Sequence, residues 1–246
     1  MLEVLVVLVV FVGALTRATF GFGEAVVSMP LLALLPVSLH TSASLIGVAG
    51  LTVAALGLTS RSREIDTHAL VRLSIGTLLG IPLGLALLLL VPESVTSTAL
   101  GAFLMLYGAY SLSPSAVTAP RGRNWAFPAG LLAGALGSAY NFNGVPVVVF
   151  GTMRRWPPRL FRGTLQAHFL FSGVLVVTGQ ALGGVWTPEL PKLLALSLPA
   201  IGLATWAGHR LHARIPAHRF ERYVYGLILA LGLVLAVRGV ISLVHG

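Results

Sequence analysis

The chain has 246 residues, of which 56% are hydrophobic and only 9% charged, with a mean hydropathy of +0.92. Soluble domains carry roughly 25% charged residues, so composition excludes an ordinary soluble fold and points to a polytopic membrane protein. The net charge of +9 does not indicate nucleic acid, because the basic residues are spread over short loops, and the lack of cysteine excludes disulfides, thiolate nucleophiles and Cys-ligated metals.

The first apolar segment, 3–36, is hydrophobic like a signal peptide, yet no basic stretch precedes it and its early charge is Glu3. It reads as part of the mature fold. The run TFGFGEAVVSMP (19–30) breaks it near 20–24, leaving a second arm over 24–35 too short for an ordinary crossing. Arg17 lies ~14 residues into the first helix, roughly 20 Å along it. Arginine at mid-membrane costs on the order of 3 kcal/mol or more, which makes Arg17 a candidate binding group; snorkelling or a structural pair with Glu24 are the alternatives. Thr19, Gly21, Gly23 and Glu24 complete the candidates at this break, the glycines because they let backbone approach a ligand closely. Glu24 either neutralises Arg17 or carries a proton coupled to anion movement. Helices over 41–60, 69–91 and 95–112 follow, with Pro82 expected to kink the second of them. Residues 1–113 make a first transmembrane repeat and 114–124 a cytoplasmic linker.

The second repeat, 125–246, follows the same plan. A segment over 125–153 is broken near 140–144, and helices over 163–185, 190–211 and 220–243 come after it, Pro199 lying inside the third segment. GALTRATFGFGEAVV (13–27) aligns without gaps on GALGSAYNFNGVPVV (134–148) at an offset of 121. Gly13, Ala14, Leu15, Ala18, Gly23, Val26 and Val27 are identical to Gly134, Ala135, Leu136, Ala139, Gly144, Val147 and Val148. Tyr140, Asn141, Asn143 and Gly144 are the candidates at this break, although asparagine also serves turn geometry alone. In the helix over 163–185, Thr164, His168 and Ser172 form a polar stripe with period four, and Gln166 points away from it. A histidine in such a stripe is more often an interhelical hydrogen-bond partner than a ligand.

Loop charge sets orientation. The loops carrying Arg61 and Arg63, Arg121 and Arg123, Arg154 to Arg162, and Arg210 to Arg222 are basic, whereas those near 36–40, 92–94 and 186–191 contain no Arg or Lys. With the basic loops in the cytoplasm, segment 125–153 starts and ends inside and must be a hairpin. Its first-half copy then starts and ends outside, so the two repeats are inverted and both termini lie on the outer side. Trp125, Trp156 and Trp186 fall at expected interfaces. The fold class is therefore all-α and polytopic, two inverted repeats each made of a broken re-entrant hairpin and three transmembrane helices. Opposed tips would meet near the midplane and offer two helix N-termini to one anion. No H-E-x-x-H, Walker or G-x-S-x-G pattern is present, so no enzyme activity, cofactor or metal is expected.

GFGEAVVSMPLLALL (21–35) and GSAYNFNGVPVVVFGTMRRWPPRLFRGTLQAHFL (137–170) resemble the TauE/SafE family of sulfite exporters and related anion permeases. The resemblance implies secondary transport of sulfite, a sulfonate such as sulfoacetate, or a related organic anion across the bacterial cytoplasmic membrane. Many members carry G-x-G-G-G runs at both tips; here Glu24 and Ala25 stand in one and NFNGVP in the other. The resemblance favours Gln166 as a site residue where helical phase favours His168. The partners implied are a small anion, the lipid bilayer and a coupling proton, with homo-oligomerisation open. A cation or metal permease, an intramembrane enzyme and a non-transporting scaffold are the rival readings.

Overall fold

The computed structural model describes residues 1–57, 64–112 and 125–212, together with 229, 230, 232–234, 236 and 237. Its regular elements among the described residues are helices: α1 (Leu2–Phe20), α2 (Glu24–Leu32), α3 (Leu39–Leu56), α4 (Thr67–Leu90), α5 (Glu93–Leu112), α6 (Ala126–Tyr140), α7 (Gly144–Met153), α8 (Pro158–Leu182) and α9 (Leu190–His212). The linker 114–124, Arg61, Arg63, Arg121, Arg123, Arg214, Arg219, Arg222 and most of the helix expected over 220–243 lie outside the described residues. Among those described, α1, α3, α4, α8 and α9 are long and apolar enough to cross a membrane, and the chain is an all-α, multi-pass membrane protein.

Local chemistry explains where the helices start and stop. Ser38 caps α3 by accepting from the Thr41 N–H at 3.2 Å, and Asp66 caps α4 by accepting from the Ala69 N–H at 3.0 Å. Helix α8 begins at Pro158, ahead of the expected 163. A proline in the first turn needs no intrahelical donor, so the Pro157-Pro158 pair starts this helix rather than delaying it. Both breaks fall where the sequence places them. Helix α1 ends at Gly21 (φ 87°), with Gly23 (φ 97°) just before α2, and α6 ends at Asn141 (φ 60°). These left-handed conformations suit glycine and, next best, asparagine.

After each break the short arm packs back on its long arm, α2 on α1 and α7 on α6. Much of the remaining packing comes in pairs that exchange α1, α3 and α4 with α6, α8 and α9. Helix α4 lies along α6 as α1 lies along α9, α4 meets α8 as α9 meets α3, and α3 meets α8 at the centre. Leu78, Leu79 and Leu83 of α4, Leu132 of α6 and Leu203 of α9 face outward, the side that lipid covers, while Thr77, Ser138, Ser172 and Ser197 are buried. Inside a bilayer, small and weakly polar residues mediate helix association.

Glycines make the α4–α6 seam. Cβ atoms added at Gly76, Gly80 and Gly84 would run into the backbone of Phe127, Leu131 and Ala135, and at Gly130 and Gly134 into that of Leu73 and Thr77. The period of four keeps all five on facing ridges. Gly101 of α5 likewise faces Gly232 and the Ala236 N–H, so small residues also join α5 to the last apolar stretch.

Gly80→Ala is expected to destabilise the protein by about 1–3 kcal/mol through overpacking, whereas Gly202→Ala, which meets nothing within 4 Å, is expected to be neutral or mildly stabilising. Thermal unfolding of the two purified variants beside wild type checks the contrast.

Candidate functional site

Both breaks border one cavity of about 40 Å³. Gly23, Glu24, Ala25 and Val26 line it from the first break, and Asn141 to Val145 from the second. Helix α3 adds Ile46, Gly47, Gly50 and Leu51, and α8 adds Phe169, Gly173 and Val176. At roughly 10–15 Å³ for each water, this space holds about three waters or a compact oxyanion. Neither α2 nor α7 has a side-chain cap; the Val145 N–H already donates to the Phe142 carbonyl at 3.3 Å, so α7 offers a ligand the Gly144 N–H and α2 the N–H groups of its first turn. Pro146, third in α7, has no N–H to leave unpaired.

Of the lining residues, Arg17 is the basic one and Glu24 the acidic one. Arg17 Nη1 donates to Glu24 Oε2 at 3.1 Å, with the two side chains 11% and 2% exposed. The guanidinium also sits over the Phe169 ring, 4.6 Å from its centroid. Helix α3 approaches this pair at a glycine: a Cβ on Gly50 would stand 2.9 Å from both Arg17 Nη1 and Glu24 Oε2. Glu24 Oε1 is buried and has no hydrogen-bond partner among the described residues. One carboxylate oxygen is therefore engaged by the arginine and the other is open to a proton, a water or a ligand group.

Two asparagines anchor the second break. Asn141 Nδ2 donates to the Ala43 carbonyl at 2.5 Å, and Asn143 Nδ2 donates to Ser172 Oγ at 2.8 Å. Gly144 fits against the Phe169 ring, where a Cβ would come within 2.5 Å of its edge. Phe169 thus touches the arginine of one break and the glycine of the other.

The other candidates lie elsewhere. Gly21 forms the α1 cap without lining the cavity, and the Thr19 hydroxyl donates to the Leu15 carbonyl. Tyr140 is buried and donates to the Thr96 carbonyl of α5 at 2.8 Å. Gln166 donates to the Ala54 carbonyl at the end of α3, 2.9 Å away. His168 is fully buried, both ring nitrogens without a partner among the described residues, and does not line the cavity. Of its stripe, Thr164 accepts from the Asp66 N–H at 2.9 Å and Ser172 holds Asn143. Sequence reasoning missed Phe169, Gly47, Gly50 and Gln180. The last continues the same period-four stripe (164, 168, 172, 176, 180) and could have been found by extending it.

Two further cavities share no lining residue with the one between the breaks. One of about 330 Å³ is lined by Glu3, Ser38, Thr41, Glu189 and Lys192, and one of about 50 Å³ by Asp66, His68, Arg72 and Arg154.

A family model described as sulfite exporter TauE/SafE matches residues 5–235. No curated protein and no solved structure matches the chain.

Removing one partner of a buried ion pair strands the other charge at a cost of about 3–5 kcal/mol. Arg17→Met is therefore expected to lower stability by that order, and Arg17→Met combined with Glu24→Gln to recover most of the loss. Thermal or denaturant unfolding of the single and double variants measures the difference.

Proposed function

Because the chain belongs to the TauE/SafE sulfite exporter family, we propose that it is a secondary transporter whose anion binds between the two helix breaks. The observation that carries this reading is a single arginine beside a cavity bordered by the starts of two helices without side-chain caps. Positive helix ends and free N–H donors favour an anion there. Arg17, Gly23, Glu24, Asn141, Asn143 and Gly144 form the proposed site. Thr19, Gly21, Tyr140, Gln166 and His168 support the elements that shape it. Sulfite, sulfoacetate and related organic anions are the proposed substrates, and no catalytic step is part of the reading.

The same proposal places the protein in the bacterial cytoplasmic membrane with both termini outside, and reads 1–113 and 125–246 as inverted repeats joined by the linker 114–124. The exchange symmetry of the helix packing and the offset-121 alignment support the repeat. Alternating access would then expose the cavity between the breaks in turn to the two sides of the membrane.

An incoming anion and the Glu24 carboxylate compete for Arg17. A proton on Glu24 would free the guanidinium for substrate and tie anion movement to a proton gradient. The open Oε1 of Glu24 supports this coupling.

In proteoliposomes, wild type is expected to move labelled sulfite, and Arg17→Gln to lower the flux about 10- to 100-fold, as for loss of a charged hydrogen bond. Absence of flux for sulfite, sulfoacetate and simple carboxylates alike would remove the transport reading. Glu24→Gln is expected to flatten the pH dependence of flux; an unchanged pH profile would rule out Glu24 as the proton carrier.

A further inference from the structure

The two breaks are not equivalent in charge. At the offset of 121, Arg17 pairs with Ser138 and Glu24 with Val145. The last turn of α1 therefore holds its own cation, set against the negative end of the helix. The last turn of α6 carries no basic residue. What converges there instead is oxygen.

Asn141 and Gln180 each have their amide orientation fixed. Asn141 Nδ2 donates to the Ala43 carbonyl and Gln180 Nε2 donates to the Ser138 carbonyl at 3.0 Å. Each amide oxygen must then point the other way, and both point at Gly47. A methyl on Gly47 would stand 2.8 Å from Gln180 Oε1 and 3.0 Å from Asn141 Oδ1. Gln180 is fully buried, and its Oε1 has no hydrogen-bond partner among the described residues. A buried amide oxygen left unpaired is destabilising, and a second acceptor beside it makes the position worse. Neither oxygen can be satisfied by an unprotonated anion in the cavity.

We propose that the end of α6, with Asn141 Oδ1 and Gln180 Oε1 over Gly47, is a binding site for a monovalent hard cation, sodium, next to the anion cavity. Such a cation takes oxygen ligands, and interrupted helices in transporters supply them from the C-terminal end of the first half-helix while the N-terminal end of the second holds the anion. Here those ends are α6 and α7. The carbonyls at the end of α6 add the negative pole of the helix. Gly47 and Asn141 line the anion cavity, which gives the ion a way in and sets the two ions side by side. Gly47 is needed because any side chain would push the oxygens apart. The cation is the mobile counterpart of Arg17, and it is a co-ion separate from the proton proposed on Glu24. Its role in transport rests on the reading of the cavity as an anion site; its binding does not.

Two measurements separate the claims. Purified protein is titrated with sodium chloride against choline chloride at constant ionic strength by calorimetry. Sulfite flux is then measured in proteoliposomes in the same two salts at fixed pH and membrane potential. Expected are a saturable heat with sodium alone and a flux at least about tenfold higher in sodium. Gln180→Ala and Gly47→Ala are each expected to raise the half-saturating sodium concentration about tenfold, the loss of one charge-bearing contact. Equal flux in the two salts together with no sodium heat overturns the site, whatever the variants do. Sodium binding without flux of any anion keeps the site and removes the transport reading. A sodium heat with equal flux in both salts keeps the binding site and overturns its role as a co-ion.

Discussion

A helix interrupted inside a membrane frees N–H and C=O groups that no water can reach, and this constraint shapes the rest of the protein. The chain meets it with partners of its own. The Gly21 N–H bonds the Arg17 carbonyl at 2.7 Å, and the N–H groups of Asn141 and Phe142 bond the Gly137 and Leu136 carbonyls at 2.8 and 3.1 Å. The asparagine side chains then tie the second break to α3 and α8. Those ties hold only if neighbouring helices come very close, which is why glycine recurs at 47, 50 and 144 around the cavity and along the α4–α6 seam. Small residues thus serve two ends here, seams tight enough to exclude lipid and close approach of α3 and α7 to the side chains around the cavity.

The Arg17–Glu24 pair rests on that frame. Its geometry spans the first break, from the last turn of α1 to the first residue of α2, so it both fastens the break and supplies the cavity with charge. A buried pair of this kind contributes little net stability compared with an apolar pair of the same shape. Its exposure to the cavity, rather than its contribution to folding, is what sets it apart from an apolar pair. Phe169 completes the arrangement by stacking under the guanidinium while closing on Gly144, which links the electrostatics of one break to the shape of the other.

Much of this was legible in the sequence. Charges and helix breakers inside an apolar run are rare enough to mark both breaks, and the offset of 121 relates them. The helix classes and most boundaries follow from hydropathy alone. Side-chain direction next to a break is harder to read, because each residue turns about 100° around the helix axis. Tyr140, one residue before the second break, faces Thr96 of α5 and not the cavity. Gln166 and His168 lie on α8 at positions that the phase of α8 alone cannot relate to α3. Phe169 and Gly47 have meaning only in contacts between helices distant in sequence, Phe169 with Arg17 and Gly144 and Gly47 with Asn141 and Gln180, and no local pattern encodes those pairings.

The Arg17–Glu24 pair has a further consequence. Were the two halves separate chains assembling as a symmetric dimer, every residue at the centre would come twice, giving two arginines and two glutamates around a space of about 40 Å³, or none. One chain carrying both halves escapes that arithmetic. Ser138 and Val145 stand 121 residues after Arg17 and Glu24, so the two breaks differ in charge. A single chain with two unlike breaks thereby places two chemically distinct poles around one centre, which a symmetric dimer could not do.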